Sequence, residues 1–341
     1  MKPAYRVFAN DSDITDSIKN RVTSITITDE IGTQSDACTI ELADPLEEVA
    51  PPPQGAVLRV YLGYENQIRD MGRYFVDSVE VSGPPDKIKI EAKASPFVDS
   101  QAGGVTALQT RKTRSFPNPT TLSTLVQTIA KEHGMTAEVE QSIANIALGH
   151  LDQTDQSDID FLTRSVIDKN VTIKPADKKI IAVPRSQAKR ITGGSVPSVS
   201  LTKKDVSIWS IKVAQRQRYD KVTTKWHDLS TGEENKFSFG KESGTVFIDP
   251  KLYQNEDQAK KAAQSQGEES ARNGVEISIK MPGRSDLFAE GRLSLSGFRS
   301  VINGDWCIKK VTHTINNSGF STSLDCQAFT EEARSKYEKF S

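Results

Sequence analysis

The sequence predicts a mainly β protein with α+β inserts, and two observations carry that expectation. The run MGRYFVDSV at 71–79 returns as NGDWCIKKV at 303–311, so that Gly72, Tyr74, Val76 and Val79 line up with Gly304, Trp306, Ile308 and Val311. Between the two copies, and again inside the second, strand-like alternation gives way to helical spacing of apolar residues. A duplicated β unit interrupted twice by helix-containing segments follows.

The copies extend well beyond this run. Upstream, GAVLRVYLGY (55–64) faces GRLSLSGF (291–298), with Gly55 opposite Gly291, Val57 opposite Leu293, and Gly63-Tyr64 opposite Gly297-Phe298. Downstream, IKIEAKA (88–94) faces TSLDCQA (322–328), with Ile90, Ala92 and Ala94 opposite Leu324, Cys326 and Ala328. Each block alternates apolar and polar residues, the period of a strand with one buried face. Turn-forming text separates the strands, GPPD at 83–86 and NNSG at 316–319. Blocks in the same order with matching glycines indicate duplication rather than a chance likeness between meanders.

The first interruption holds two helices. NPTTLSTLVQTIAKEHGM (118–135) places Leu122, Leu125, Val126 and Ile129 on one face, with Thr120 or Thr121 as N-cap and Gly134 as the C′ stop. In LDQTDQSDIDFLTRSVIDKN (151–170), Ser157 caps the helix and Asp160 completes a capping-box-like pair. Ile159, Leu162 and Val166, joined by Phe161, form its packing stripe, so Phe161→Ala or Leu162→Ala should cost roughly 2–5 kcal/mol. VTIKPADKKIIAVPR then reads as a two-stranded ribbon, making residues 101–185 a small α/β insert. In the second copy, VSIWSIKVAQRQRYDKVTTKWHD (206–228) reads as two strands and VEISIKM (275–281) as another. QNEDQAKKAAQSQGEESARN (254–273) between them is a helix with Ala259, Ala262, Ala263 and Ala271 on its face, which allows close approach to a sheet but buries little area.

The 341 residues exceed the roughly 250 at which single cores stop growing, so two to three domains are expected. Basic and acidic residues nearly cancel, 44 against 45, which does not support a nucleic-acid binder. No run approaches the ~18 apolar residues of a membrane span. The start, MKPAYRVFANDSD, has no apolar signal region. Cys38, Cys307 and Cys326 are isolated within alternating runs, as buried thiols of a reducing compartment would be, not a disulfide framework or zinc site. A soluble protein made in the cytoplasm is expected.

No residue set carries chemistry. Asp152, Asp155, Asp158 and Asp160 lack the spacing of a calcium loop. Acids in a first turn serve capping and the helix dipole, so Asp158→Asn should cost only ~0.3–1 kcal/mol. His133, His150, His227 and His313 show no ligand spacing and are assigned surface or packing roles. GGSVPSVS (193–200) lacks the Lys-Ser/Thr of a phosphate loop and reads as a linker. TRKTR (110–114) reads as a solvated loop or an inter-subunit salt bridge rather than a nucleic-acid contact. No nucleophile, base and acid assemble into a set. No catalytic, cofactor-binding or metal-ligating residue is assigned, and no cofactor is expected.

Four features, in order, carry a family resemblance. They are GAVLRVYLGY with MGRYFVDSVEVSGPP; TRKTRSF (110–116) leading into TIAKEHGM; LDQTDQSDIDFLTRSV; and PGRSDLFAEGRLSLSGF with INGDWCIKKVTHTINNSGFSTSLDCQ. In the second, Lys112 stands where an R-x-R-S-F pattern has its first Arg, with Arg111 one position early. Over essentially its whole length the chain resembles the late control D family of contractile-tailed phages, baseplate hub proteins similar in fold to the hub part of type VI secretion spike proteins. The resemblance implies two related antiparallel β-barrel domains of tail-tube type, 1–100 and 186–341, the second with its helix near 255–273, around the 101–185 insert.

It further implies a homotrimer whose paired domains make a pseudo-hexameric ring. Such a ring is a structural, non-enzymatic hub adapting the hexameric tail tube to a trimeric central spike, among other baseplate proteins. Type VI spike proteins continue into an OB domain and a needle; this text ends at Ser341, so a separate spike polypeptide is expected. The particle would be a phage virion or a phage-tail-like, pyocin-like bacteriocin, with neither a membrane nor a specific nucleic acid as partner. The alternative is a tail-tip enzyme such as a cell-wall hydrolase, which needs a catalytic motif on a spare domain.

Overall fold

A computed structural model describes residues 2–31, 36–94, 107–167, 169–176, 179–184, 198–213, 219–228, 232–241, 244–253, 255–273 and 275–329. The linker text at 193–197 lies outside these residues. The fold is mainly β.

The first copy comprises β1 (Pro3–Ala9), β2 (Ser12–Asp13), the single turn α1 (Thr15–Ile18), β3 (Val22–Glu30), β4 (Ala37–Ala43), β5 (Val57–Tyr64), β6 (Gln67–Ser82) and β7 (Lys87–Lys93). These strands lie side by side in the order β3-β4-β7-β6-β5-β1-β2. Alternation puts Cys38, Ile40 and Leu42 of β4, Leu58, Val60 and Leu62 of β5, and Ile88, Ile90 and Ala92 of β7 into one core.

The insert follows with β8 (Arg111–Phe116), α2 (Leu122–Glu132), β9 (Thr136–Val139), α3 (Gln141–Ala144), β10 (Leu151–Ser157), α4 (Asp158–Val166), β11 (Val171–Ala176) and β12 (Lys179–Pro184). Thr121 caps α2 and Gly134, at φ +63°, ends it. Leu122, Leu125, Val126 and Ile129 all face the insert's own core, with Phe161, Leu162 and Val166 of α4. β11 and β12 form the expected ribbon, and β9 adds a third strand parallel to β12.

The second copy consists of β13 (Ser198–Thr202), β14 (Ile208–Val213), an excursion, and then β18 (Val275–Pro282), β19 (Arg292–Ser296), β20 (Gly304–Asn316) and β21 (Gly319–Ala328). The excursion is a three-stranded sheet of β15 (Lys221–His227), β16 (Glu234–Gly240) and β17 (Val246–Tyr253), covered by α5 (Glu256–Asn273). Ala259, Ala262 and Ala263 of α5 are fully buried, and a Cβ on Gly267 would stand 2.6 Å from the Phe239 ring. The helix therefore lies close on its sheet, as its small residues require; the side chain of Ala271 lies outside the described residues.

The hairpins β6·β7 and β20·β21 share one register. Val76 faces Ala92 and Val79 faces Ile90 in the first; Ile308 faces Cys326 and Val311 faces Leu324 in the second. A β-bulge interrupts both at the same place, between Val76 and Ser78 and between Ile308 and Lys310. Tyr74 and Trp306 are both buried, each donating its polar hydrogen to a carbonyl just upstream, Met71 at 2.6 Å and Ile302 at 2.7 Å. Gly72 (φ +113°) and Gly304 (φ +109°) occupy the same left-handed conformation, which favours glycine.

The upstream alignment needs one correction. Leu58, not Val57, faces Tyr74, and it is Leu293 that faces Trp306. The position matching Gly55 is accordingly Glu290 rather than Gly291; the two share positive φ, +78° and +64°. Pairing glycine with glycine by letter shifted that block by one residue.

A larger correction concerns closure. Among the described residues the two copies do not form two closed barrels. They are joined in one open 13-stranded sheet, because β3 pairs antiparallel with the far half of β20 from Lys310↔Glu30 to Asn316↔Ser24. The first core even takes Ile315 and Phe320 from the second copy's hairpin. β13, moreover, joins β19 in parallel, whereas β1 joins β5 antiparallel.

Candidate functional site

Two motifs that stand apart in the sequence meet in the insert. β8 pairs antiparallel with β10, so Arg114 lies opposite Gln153 and Lys112 opposite Gln156. The basic run TRKTR is thereby laid along the acidic run DQTDQSD, and Ser157 at the end of β10 caps α4 by accepting from the Asp160 amide at 3.2 Å. The Ser157 hydroxyl donates in turn to the Asp160 carboxylate at 2.6 Å. Asp155 bonds Arg111 at 3.0 Å, and Asp152 accepts from the Ser115 hydroxyl at 2.6 Å, both at the surface.

Asp158 behaves otherwise. Its side chain is 0% exposed, and it holds Lys112 Nζ at 2.7 Å, Arg114 Nη2 at 2.7 Å, Gln153 Nε2 at 2.8 Å and His133 Nε2 at 2.7 Å. Glu132 closes the cluster by accepting from Lys112 at 3.1 Å and from Arg114. Burial alone would push the Asp158 carboxyl up, but the bonds from Lys112, His133 and Gln153 and the charge of Arg114 hold it below the usual carboxylate range. Glu132, His133 and Asp158 lie close enough to suggest a metal site. Two fixed cations already fill that space and Asp158 is already satisfied, so the donor set suits an internal salt-bridge lock rather than a dication. Lys112 takes one of the two cationic positions in that lock.

A second cluster went unnoticed in the sequence. Lys174 of β11 reaches Asp29 of β3 at 3.3 Å and Asp36 at 3.2 Å, while Asp29 accepts the Ala289 amide at 2.7 Å. The insert and both copies converge there. Burial, then the neighbouring Asp29 charge, pushes the Asp36 carboxyl up to about 6, against the opposing pull of Lys174. No local pattern marks these residues, because the partners lie |i−j|=145, 138 and 260 apart.

A folded-state carboxyl raised above its unfolded value contributes stability that is complete at low pH and is lost as pH rises through about 6. Asp36→Asn, permanently neutral, should therefore stabilise the protein by roughly 1–3 kcal/mol at pH 7.5, and the gain should shrink by roughly half at pH 5. Paired denaturation curves at the two pH values check this; a gain that grows on acidification contradicts it.

The remaining candidates are structural. His313 is buried, with Nε2 donating to the Leu287 carbonyl at 3.1 Å and Nδ1 facing the Thr322 hydroxyl at 3.0 Å. Burial lowers its pKa, which favours the neutral ring. His150 lies 3.2 Å from Asp152 at the surface, and His227 ends β15. The three cysteines are free and buried, and burial pushes the Cys38 thiol up to about 12. No helix among the described residues is long and apolar enough to cross a membrane.

What distinguishes the surface is its sheet edges. Among the described residues β14 is hydrogen-bonded only to β18, and β6 from Asp77 to Ser82 only to β7. Val81 and Ile208 on these edges are 68% and 63% exposed. Unpaired edges carrying apolar side chains are rare in isolated proteins and mark pairing surfaces.

The family model described as phage tail baseplate hub (GPD) matches residues 105–319. A protein of Escherichia phage 186 named "Probable baseplate hub protein" is 31% identical, over 96% of this chain and 93% of its own length. The chain belongs to the phage tail baseplate hub family. Its role is that of a structural baseplate hub. Two solved structures share the hub's fold. The 43 kDa tail protein of prophage MuSo2 from Shewanella oneidensis has a TM-score of 0.72 at 15% identity, over 96% of this chain and 98% of its own. The E. coli c3393 protein, described as a component of the type VI secretion system, has 0.58 at 10% identity, over 96% and 77%. The stretch matched by the hub family model includes the Asp158 lock and the open edge strand β14.

Proposed function

We propose that this hub works as a C3 homotrimer that adapts the hexameric tail tube to a separate trimeric spike, within the baseplate of a phage or a phage-tail-like bacteriocin. The observation that carries the reading is the shared register, bulge and left-handed glycine of the β6·β7 and β20·β21 hairpins. A chain that holds the same β unit twice presents six similar units when three copies surround an axis, while keeping threefold symmetry for the spike. In this reading residues 1–100 and 186–341 are tube-like β domains, 101–185 is an outer α/β domain, and barrel-like closure belongs to the assembly. An open sheet with free edges suits that arrangement, since pairing between copies removes the edges.

Native mass measurement of the hub with its tube and spike proteins tests the stoichiometry. Three hub chains for every three spike chains are expected; six hub chains would contradict the proposal. The hub is also expected to leave purified peptidoglycan intact, and release of soluble fragments above a buffer control would overturn the structural assignment.

A further inference from the structure

The junction between the two copies inside one chain dictates how one chain meets the next. β3 pairs with β20 such that Val311 faces Asp29, Thr312 faces Thr28, His313 faces Ile27 and Thr314 faces Thr26. Each strand has a counterpart in the other copy. The shared hairpin register makes Val79, Glu80, Val81 and Ser82 the counterparts of Val311, Thr312, His313 and Thr314. On the other side, β3 bonds β4 with Ile25↔Ile40 and Ile27↔Cys38, and β4 bonds β7 with Cys38↔Ala92 and Ile40↔Ile90. In the second copy β14 bonds β18 with Trp209↔Ile279 and Ile211↔Ile277, and β18 bonds β21 with Ile277↔Cys326 and Ile279↔Leu324. Trp209 and Ile211 are thus the counterparts of Ile25 and Ile27.

The internal junction uses β3 and the far half of β20. Its mirror uses β14 and the far half of β6, and both of these edges are left open among the described residues. We propose that β14 of one copy pairs antiparallel with residues 79–82 of β6 in a second copy of this chain, setting Val213 opposite Val79, Lys212 opposite Glu80, Ile211 opposite Val81 and Ser210 opposite Ser82. This rests on the self-assembling hub described above, though not on its copy number.

Side-chain chemistry agrees with the register. Lys212 and Glu80 are both exposed and fall directly opposite each other with unlike charges, a favourable cross-strand pair. Val81 is 68% exposed, whereas its counterpart His313, whose strand is paired with β3, is 1% exposed. In the docked register Ile211, which packs against the second core, covers Val81 and continues the apolar face. Moving the register by one residue would put Lys212 against that apolar face, so the alternation itself selects one alignment.

Cysteine pairing tests the register. Residues directly opposite across an antiparallel ladder have Cα atoms about 4.5–5.5 Å apart, within disulfide reach, whereas diagonal neighbours stand about 7–8 Å apart. The native cysteines are buried, so they contribute little background. Glu80→Cys with Lys212→Cys should form covalent multimers on oxidation, several-fold more than Glu80→Cys with Ser210→Cys. In a second arm, Glu80→Lys should weaken assembly and Lys212→Glu should restore it, with thermal melting confirming that each variant is folded. Both arms are run on the full chain, alone and with its tube and spike proteins. An assembled hub in which the matched pair fails to cross-link, or in which the charge swap rescues nothing, overturns this register while leaving the hub reading intact. A chain that stays monomeric under every condition overturns both.

Discussion

Phe161→Ala is expected to destabilise the insert by about 3–5 kcal/mol. Phe161 is fully buried on α4, stacks on Phe116 of β8 with ring centroids 5.4 Å apart, and carries the Arg164 guanidinium over its ring. The side chain therefore ties the helix to the β8·β10 pair, and truncation leaves a cavity that the flanking strands cannot fill. Leu162→Ala should cost about 2–5 kcal/mol in the same core. Because the insert has its own core, the loss should appear first as faster hydrogen exchange in α2, α4 and β9–β12, ahead of the large sheet. Exchange that accelerates equally throughout the chain would contradict an independently packed insert.

Asp158→Ala is expected to cost about 3 kcal/mol, at the lower end for breaking a buried ion pair. Lys112 and Arg114 are 30% and 22% exposed, so water can hydrate them partly once their partner is gone. Gln153, fully buried, has no such recourse. Asp158→Asn keeps the shape and one acceptor but loses the charge, and about 1.5–3 kcal/mol is expected, the worth of hydrogen bonds to charged groups. That exceeds the ~0.3–1 kcal/mol anticipated for a first-turn acid, which Asp160→Asn should show. Denaturation midpoints should rank the three in that order; an Asp158→Asn variant indistinguishable from Asp160→Asn would mean that the lock carries no energy.

The contrast between Asp158 and Asp160 shows where sequence reasoning reached and where it stopped. Period-two alternation and turn text located the hairpins, and caps with 3.6-residue spacing located α2 and α4, because those signals are local. The burial of Asp158 is not local: its cationic partners sit 44 and 46 residues away on β8, and only the strand pairing brings them in. The junction of β3 with β20 is more distant still, with Thr26 and Thr314 separated by 288 positions. No pattern within either strand announces it, so nothing local in the sequence counters the two barrels that the family resemblance implies, where one open sheet runs through both copies. β16 and β17 escaped notice for a different reason: Gly240, Pro250 and interspersed charges blur their alternation.

The most direct test of the account is a reconstruction of the tail tip imposing no symmetry beyond threefold. Three copies of this chain around the tail axis are expected, with β6·β7 and β20·β21 hairpins alternating at six positions between tube and spike. Six copies in the ring, or a position away from the axis, would contradict it.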